Sequence, residues 1–226
     1  MRILSNYDVS IAATLLLIDV HDKENTMPTP QTLMQIAGAA ARMPRWQDAA
    51  LIVIDHQTEY TTGCVPLVGI AAAIVEIAAL LRSARAAGAP VIHVLHHAKP
   101  GAVVFDPQRQ WVEVIDGLQA QQGEIVVIKG FPNSFTGTTL DAELKKLGKK
   151  ELIIAGFATH MCVSATTRSA LDHGYTSTVV AAACATRDLP DPLGNGVVSA
   201  ADLQRAALAA LADRFATIVP NAAALA

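Results

Sequence analysis

From residue 49 onward, short apolar runs alternate with longer stretches of helical periodicity. Ala50–Ile54, Val91–Leu95, Glu124–Ile128, Leu152–Ile154, Ser177–Ala181 and Phe215–Val219 are short and mostly apolar. Most give way to a polar residue, a Gly or a Pro. Runs of that length between helical stretches read as buried strands. Leu67 to Ala87 carries apolar residues at helical spacing and stops at Gly88 and Pro90. Trp111–Leu118 predicts a short helix, and Thr139–Leu147 a helix capped by Thr138. Gly156 reads as the break that ends its strand. Thr159 reads as the cap of a helix from about Met161 to His173. Ser199 starts a last helix running to about Asp213. This alternation predicts an α/β fold, three-layer α/β/α, with a mostly parallel, doubly wound central sheet.

Residues 1–48 fit the pattern less well. Thr14–Ile18 is strand-like and ends at Asp19, and Gln31–Arg42 has helical composition. Pro28, Pro30 and Pro44 interrupt any crossover from Asp19 to a second strand, whereas the unit starting at Ala50 is complete. Residues 1–48 are therefore read as an N-terminal extension, with 1–26 an appendage ahead of Met27. Residues 49–226 are read as the catalytic domain.

In open parallel sheets, ligands bind beyond the carboxyl ends of the strands. Asp55 and Lys129 end two strands here, and Cys162 lies just past the turn after a third. A thiol at a helix start sits near unpaired N–H groups, which favour the thiolate. Taken singly, each residue has a plainer role: a loop cap, a solvated lysine, a buried thiol. Together they fit a nucleophile with a base. Cys162 would attack, Asp55 would carry the proton and Lys129 would hold Asp55 ionised. The N–H groups of Ala158 and Cys162 would form an oxyanion hole. Gln57, Tyr60, His96, Phe131, Phe135, Thr159 and His160 lie on loops at the same edge and are the candidates for substrate binding.

The chain has 226 residues and a formal net charge of −3. It lacks a basic cluster with interleaved aromatics, so nucleic acid is not an expected partner. No apolar run is long enough for a bilayer, and the start does not read as a signal peptide. The three cysteines, Cys64, Cys162 and Cys184, are odd in number and widely spaced. That argues against a disulfide framework and for a reducing cytoplasm. There is no G-x-S-x-G elbow, no dinucleotide fingerprint and no recognisable metal motif. No cofactor and no metal are expected.

Four segments carry a resemblance: LIVIDHQTEY at 51–60, VIHVLHH at 91–97, VVIKGFPNSFTGTTL at 126–140 and AGFATHMCVSATTRSALDHGY at 155–175. In this order they resemble the isochorismatase-like cysteine hydrolases, which include nicotinamidases, N-carbamoylsarcosine amidases and isochorismatases. The resemblance implies an Asp, Lys, Cys triad at Asp55, Lys129 and Cys162. It also implies a cis Phe157–Ala158 bond before the oxyanion-hole residue, and a homo-oligomer. The chain departs from the pattern in two places. Ala182 stands where many relatives carry an acid. The metal-binding D-x-H cluster of nicotinamidases is replaced by VLHHAKPGAVVF, in which adjacent His96 and His97 would point to different sides of an extended chain.

The expected activity is cofactor-free hydrolysis of a C–N bond in a small amide or carbamoyl compound through a thioester. One alternative is hydrolysis of an isochorismate-like vinyl ether, which needs an acid but no thiol. Another is a redox-responsive binding protein using Cys162 as its sensor.

Overall fold

The computed structural model describes residues 29–39 and 42–225. The expected strand 14–18, with Asp19, lies outside them. All that follows concerns the unit that begins at Gln31.

The chain runs through α1 (Leu33–Ile36), β1 (Ala49–Ile54), α2 (Ile70–Ala86), β2 (Val91–His96), β3 (Ile125–Lys129), α3 (Leu140–Leu147) and β4 (Glu151–Phe157). It continues through α4 (Ser164–Asp172), β5 (Thr176–Ala185), β6 (Leu189–Pro190), β7 (Val197–Val198), α5 (Ala200–Arg214) and β8 (Ala216–Val219). Six strands form one sheet in the order β3-β2-β1-β4-β5-β8, and every adjacent pair is parallel. β6 and β7 form a separate antiparallel hairpin.

Period-two alternation along the buried strands builds the three layers. Leu51, Val53, Ile153 and Ala155 face α2, where Ile77, Leu80, Leu81 and Ala84 meet them. Their neighbours Ile52, Ile54, Leu152 and Ile154 face the other way, against Leu140 and Leu144 of α3, Ala170 of α4 and Leu211 of α5. The sheet therefore has a core on each side. β1 and β4 lie at its centre and are wholly buried. The order reverses between them, which opens a crevice at their carboxyl ends.

Several local expectations shift. Of the expected helix Gln31–Arg42, the described residues show one helical turn, Leu33–Ile36, with a Thr32–Gln35 capping box and no buried residue. With no face to bury, helical composition alone does not extend it. Trp111–Leu118 is not a helix beyond a 3-10 turn at Gln110–Val112. The backbone after that turn pairs with the loop following β1: the Thr58 N–H donates to Glu113 O (2.8 Å) and the Ile115 N–H to His56 O (2.9 Å). Thr138 Oγ1 accepts from the Leu140 N–H at 3.2 Å, one position before the cap Thr139. Ser199 caps α5 by accepting from the Asp202 N–H.

Gly156 does not end β4. It lies inside the strand at φ +120°, where a Cβ would sit 2.0 Å from the Ile54 carbonyl oxygen. Only glycine permits that approach. It lets β4 press against the end of β1, beside Asp55.

A buried polar chain runs beneath that edge. Glu124 only accepts, so His93 Nε2 donates to it (2.9 Å), and His56 Nε2 then donates to His93 Nδ1 (2.9 Å). Arg85 holds Glu124 from the other side at 2.7 Å. Burial, followed by the nearby His93, pushes the His56 imidazole down to about 3.

Two outcomes follow from these features. Gly156→Ala should lose about 3 kcal/mol or more of unfolding free energy, the scale of a backbone clash in a core. Urea unfolding checks this, and an unchanged midpoint would refute the close approach. His56 stays neutral when folded but takes a proton near 6.5 when unfolded. Its contribution is therefore present above pH 6.5 and is lost as pH falls toward 3, at up to about 1.4 kcal/mol per pH unit. His56→Gln should flatten the fall in stability between pH 6 and 5 by roughly 1 kcal/mol in urea titrations. A slope identical to wild type would remove His56 from the account.

Candidate active site

Four strand ends supply the centre. Asp55 follows β1, His96 ends β2 and Lys129 ends β3, while Cys162 lies in the π-turn Thr159–Val163 after β4. Parallel register places His96 beside Lys129. Asp55 takes a left-handed φ of +49°, a region that Asp tolerates better than most side chains. Its N–H donates to Val94 O at 2.7 Å, which fixes the turn to β2. The bond between Phe157 and Ala158 is cis. The N–H groups of Met161 and Val163 both donate to Ala158 O (3.0 and 3.3 Å), so the turn winds around that carbonyl.

Lys129 Nζ ties the group together. It donates to Asp55 Oδ2 at 2.8 Å, to His96 Nδ1 at 2.9 Å and to Cys162 Sγ at 3.3 Å. Its three N–H donors thus meet three acceptors. Asp55, His96 and Cys162 each offer one potential ligand atom, all within 4.8 Å of one another. The Lys129 ammonium lies within bonding distance of each. A tethered cation thus already neutralises the acidic partner in the space a metal ion would need.

Burial governs the electrostatics. It raises the Asp55 carboxyl above its ordinary value, against the charge of Lys129 and hydrogen bonds from Cys162 and Lys129. It also raises the Cys162 thiol, helped by the adjacent Asp55 charge. The expectation of a resting thiolate is therefore corrected: desolvation and a neighbouring carboxylate outweigh the partial positive charge of the turn. Asp55 Oδ1 is buried and, among the described residues, has no hydrogen-bond partner. Burial, then Lys129 and His97, lower the His96 imidazole to about 4. It is neutral at physiological pH and accepts from Lys129.

Cys162 opens into a cavity of about 240 Å³ walled by Tyr60, Val65, His96, Val104, Phe105, Pro132, Ala158, His160, Met161 and Arg187. The expected Tyr60, His96, Ala158 and His160 are among these residues. His160 Nδ1 is 2.6 Å from Thr186 Oγ1. Tyr60 packs edge-on against Phe105 and Phe157.

Other expected pocket residues go elsewhere. Gln57 is buried and spent on backbone: Nε2 donates to Val112 O (2.7 Å) and His96 O (3.0 Å), and Oε1 accepts from the His96 N–H (2.8 Å). It positions His96 and lies outside the cavity wall. Thr159 Oγ1 donates to Ala185 O at 3.1 Å, which leaves it neither a helix cap nor a pocket group. Phe135 stacks on His173 and Tyr175 in the core on the α3 side. Phe131 is 59% exposed and off the wall. Proximity to Lys129 in sequence does not aim those rings at the site, although Pro132 between them lines the cavity.

Sequence reading passed over Glu59, Phe105 and Arg187. Glu59 is buried; its Oε1 accepts from the Cys64 N–H (2.6 Å) and its Oε2 from the Phe105 N–H (2.8 Å). One carboxylate thereby ties together two loops of the cavity wall. The signal available was the polar run HQTEY after a buried strand, which reads simply as a polar loop.

The isochorismatase domain profile matches residues 49–223. A protein named secreted isochorismatase effector Isc1, from Verticillium dahliae, is 39% identical over 175 residues, covering 77% of this chain and 89% of its own. Maleamate amidohydrolase of Pseudomonas putida is 30% identical over 147 residues, 58% of this chain and 69% of that enzyme. The crystal structure of an isochorismatase from Pseudomonas putida KT2440 superposes with a TM-score of 0.82 at 41% identity, covering 88% of this chain and all of that one. With the sheet order, the match across 49–223 and this degree of likeness, the chain belongs to the isochorismatase family of hydrolases.

Proposed function

We propose that the protein hydrolyses a C–N bond in a small amide or carbamoyl compound through a thioester on Cys162. The observation that carries this reading is the buried Lys129 ammonium bonded at once to Asp55 and Cys162, with the thiol at the floor of a small cavity. Asp55 takes the thiol proton as Sγ attacks the carbonyl carbon. The Ala158 and Cys162 N–H groups stabilise the oxyanion. Collapse breaks the C–N bond, and the proton on Asp55 passes to the leaving nitrogen. Water then attacks the thioester, giving one proton to Asp55, which returns it to the sulfur as the acid departs. Lys129 stays charged throughout and needs no metal or cofactor beside it.

A vinyl-ether hydrolase is the second reading, because a carboxyl raised by burial also suits proton donation. It predicts pyruvate release from isochorismate by Cys162→Ala. The sensor reading is weaker: Cys162 is 4% exposed and its thiol is raised, the opposite of an oxidation-prone cysteine.

The same proposal places the start of the catalytic domain near residue 49, with the preceding residues an extension. It also takes a homo-oligomer in a reducing cytoplasm. The three cysteines are free, and no described helix is long and apolar enough to cross a membrane. Light scattering of the purified protein and fractionation of its source cells check those two points.

A screen of small amides and ureides for ammonia release tests the activity. On any substrate found, Cys162→Ser and Asp55→Asn should each lower kcat by about 10³-fold while thermal unfolding stays two-state. A Cys162→Ser enzyme with wild-type kcat would rule out the thioester. The pH profile supplies a separate check. The acid limb of kcat/KM should fall above the ordinary carboxylate value of 3.8, because Asp55 must be ionised. Lys129 lowers the Asp55 carboxyl, so Lys129→Met should move that limb upward and cut kcat roughly 10²-fold. A limb that moves down, or a change confined to KM, would remove Lys129 from this role.

A further inference from the structure

We infer that His96 determines which substrates fit: its Nε2–H donates to a neutral oxygen that the substrate carries one or two carbons beyond the carbonyl to be attacked. The inference rests on the amide-hydrolase reading for the bond that is cut, but not for the contact itself.

The tautomer follows from the neighbour. An ammonium only donates, so the 2.9 Å contact with Lys129 Nζ makes His96 Nδ1 the acceptor. The one proton of the neutral ring is then on Nε2. Burial, then the charges of Lys129 and His97, lower the imidazole to about 4, so the ring stays in this form at physiological pH. It is a poor general acid there. A neutral imidazole N–H instead polarises an oxygen by donating to it without giving up its proton.

That donor is both fixed and unspent. Gln57 holds the backbone of His96 on both sides, accepting from its N–H at 2.8 Å and donating to its O at 3.0 Å. The ring lies tilted against Phe105 at 4.8 Å, and the Phe105 N–H is itself held by the buried Glu59. With Nδ1 turned to Lys129, Nε2 occupies the far side of the ring. It has no hydrogen-bond partner among the described residues and is not one of the enclosed polar atoms. The residue lines the Cys162 cavity, so the N–H opens into it.

Distance and charge set what it meets. The reactive atoms of Asp55, His96 and Cys162 lie within 4.8 Å of one another. A carbonyl carbon attacked by Sγ therefore brings the next one or two carbons of the substrate to the imidazole. The Asp55 carboxylate in the same space makes a neutral oxygen a better fit than an anionic one. Val104 and Phe105 wall this side of the cavity. A substrate without the oxygen would displace water and leave the N–H unpaired against them, which is how a fixed donor rejects an isostere.

The probes are two pairs of uncharged amides in which a keto oxygen is exchanged for a methylene group. Pyruvamide is set beside methacrylamide, and acetoacetamide beside 3-methylbut-3-enamide. Calorimetry on Cys162→Ala, which cannot add to any of them, reads binding alone. In at least one pair the keto amide should bind about tenfold more tightly than its partner. Adding His96→Asn should erase that gap, because Asn keeps an acceptor near the Nδ1 position for Lys129 but places no donor at Nε2. Nitrogen–proton NMR of the histidine-labelled protein at pH 7 should show His96 protonated at Nε2 alone. No gap in either pair, a gap that survives His96→Asn, or a proton on Nδ1 would each overturn the inference, and failure of all four amides to bind would do the same. Turnover separates it from the reading beneath it. A His96-dependent preference with no ammonia released by the wild-type enzyme would leave the donor standing and tell against the amide hydrolase. Ammonia released without that preference would do the reverse.

Discussion

Everything at the carboxyl edge of the sheet depends on a lysine and an aspartate buried together. Both side chains are fully enclosed, and they meet at 2.8 Å. Removing two charges from water costs several kcal/mol each, and their attraction offsets this only if the remaining donors and acceptors are also met. The fold meets most of them. His96 and Cys162 take the other two protons of Lys129, and only Asp55 Oδ1 is left without a partner. The acceptors come from strand ends held in register, so the parallel sheet sets where the charges can be. Gln57 belongs to this arrangement: it bonds both backbone groups of His96 and so fixes an acceptor of the lysine.

The same burial shapes reactivity. A solvent-exposed thiol would ionise more readily, and a solvent-exposed aspartate would be a weaker base. Here burial pushes both groups upward. Such a site holds its nucleophile protonated at rest and releases it as the proton moves. Idle oxidation is thereby disfavoured, since the thiolate is the species that reacts.

Much of this was legible in the sequence, and the reasons differ by element. The strands were readable because a parallel sheet covered on both faces demands continuous apolar runs such as LIVI and LII. Asp55, Lys129 and Cys162 stood out because they follow those runs at an edge where polar residues need a purpose. Local signals misled where tertiary contact decides. Gly156 looks like a terminator by type but is a point of backbone contact, a fact that belongs to the pairing of β4 with β1. Phe135 and Thr159 flank the chemistry in sequence, yet their side chains turn into the core or onto backbone. Arg187 was invisible because its place on the Cys162 cavity wall is set by the fold and by no local pattern.

Glu59 bears on how the cavity moves. Its two oxygens hold the N–H groups of Cys64 and Phe105, on loops some forty residues apart in the chain. Neither loop can swing outward alone without stranding one oxygen of a buried carboxylate, so the two walls are mechanically one plate. Any widening of the cavity on this side must therefore move both loops at once, with Glu59 as their shared anchor.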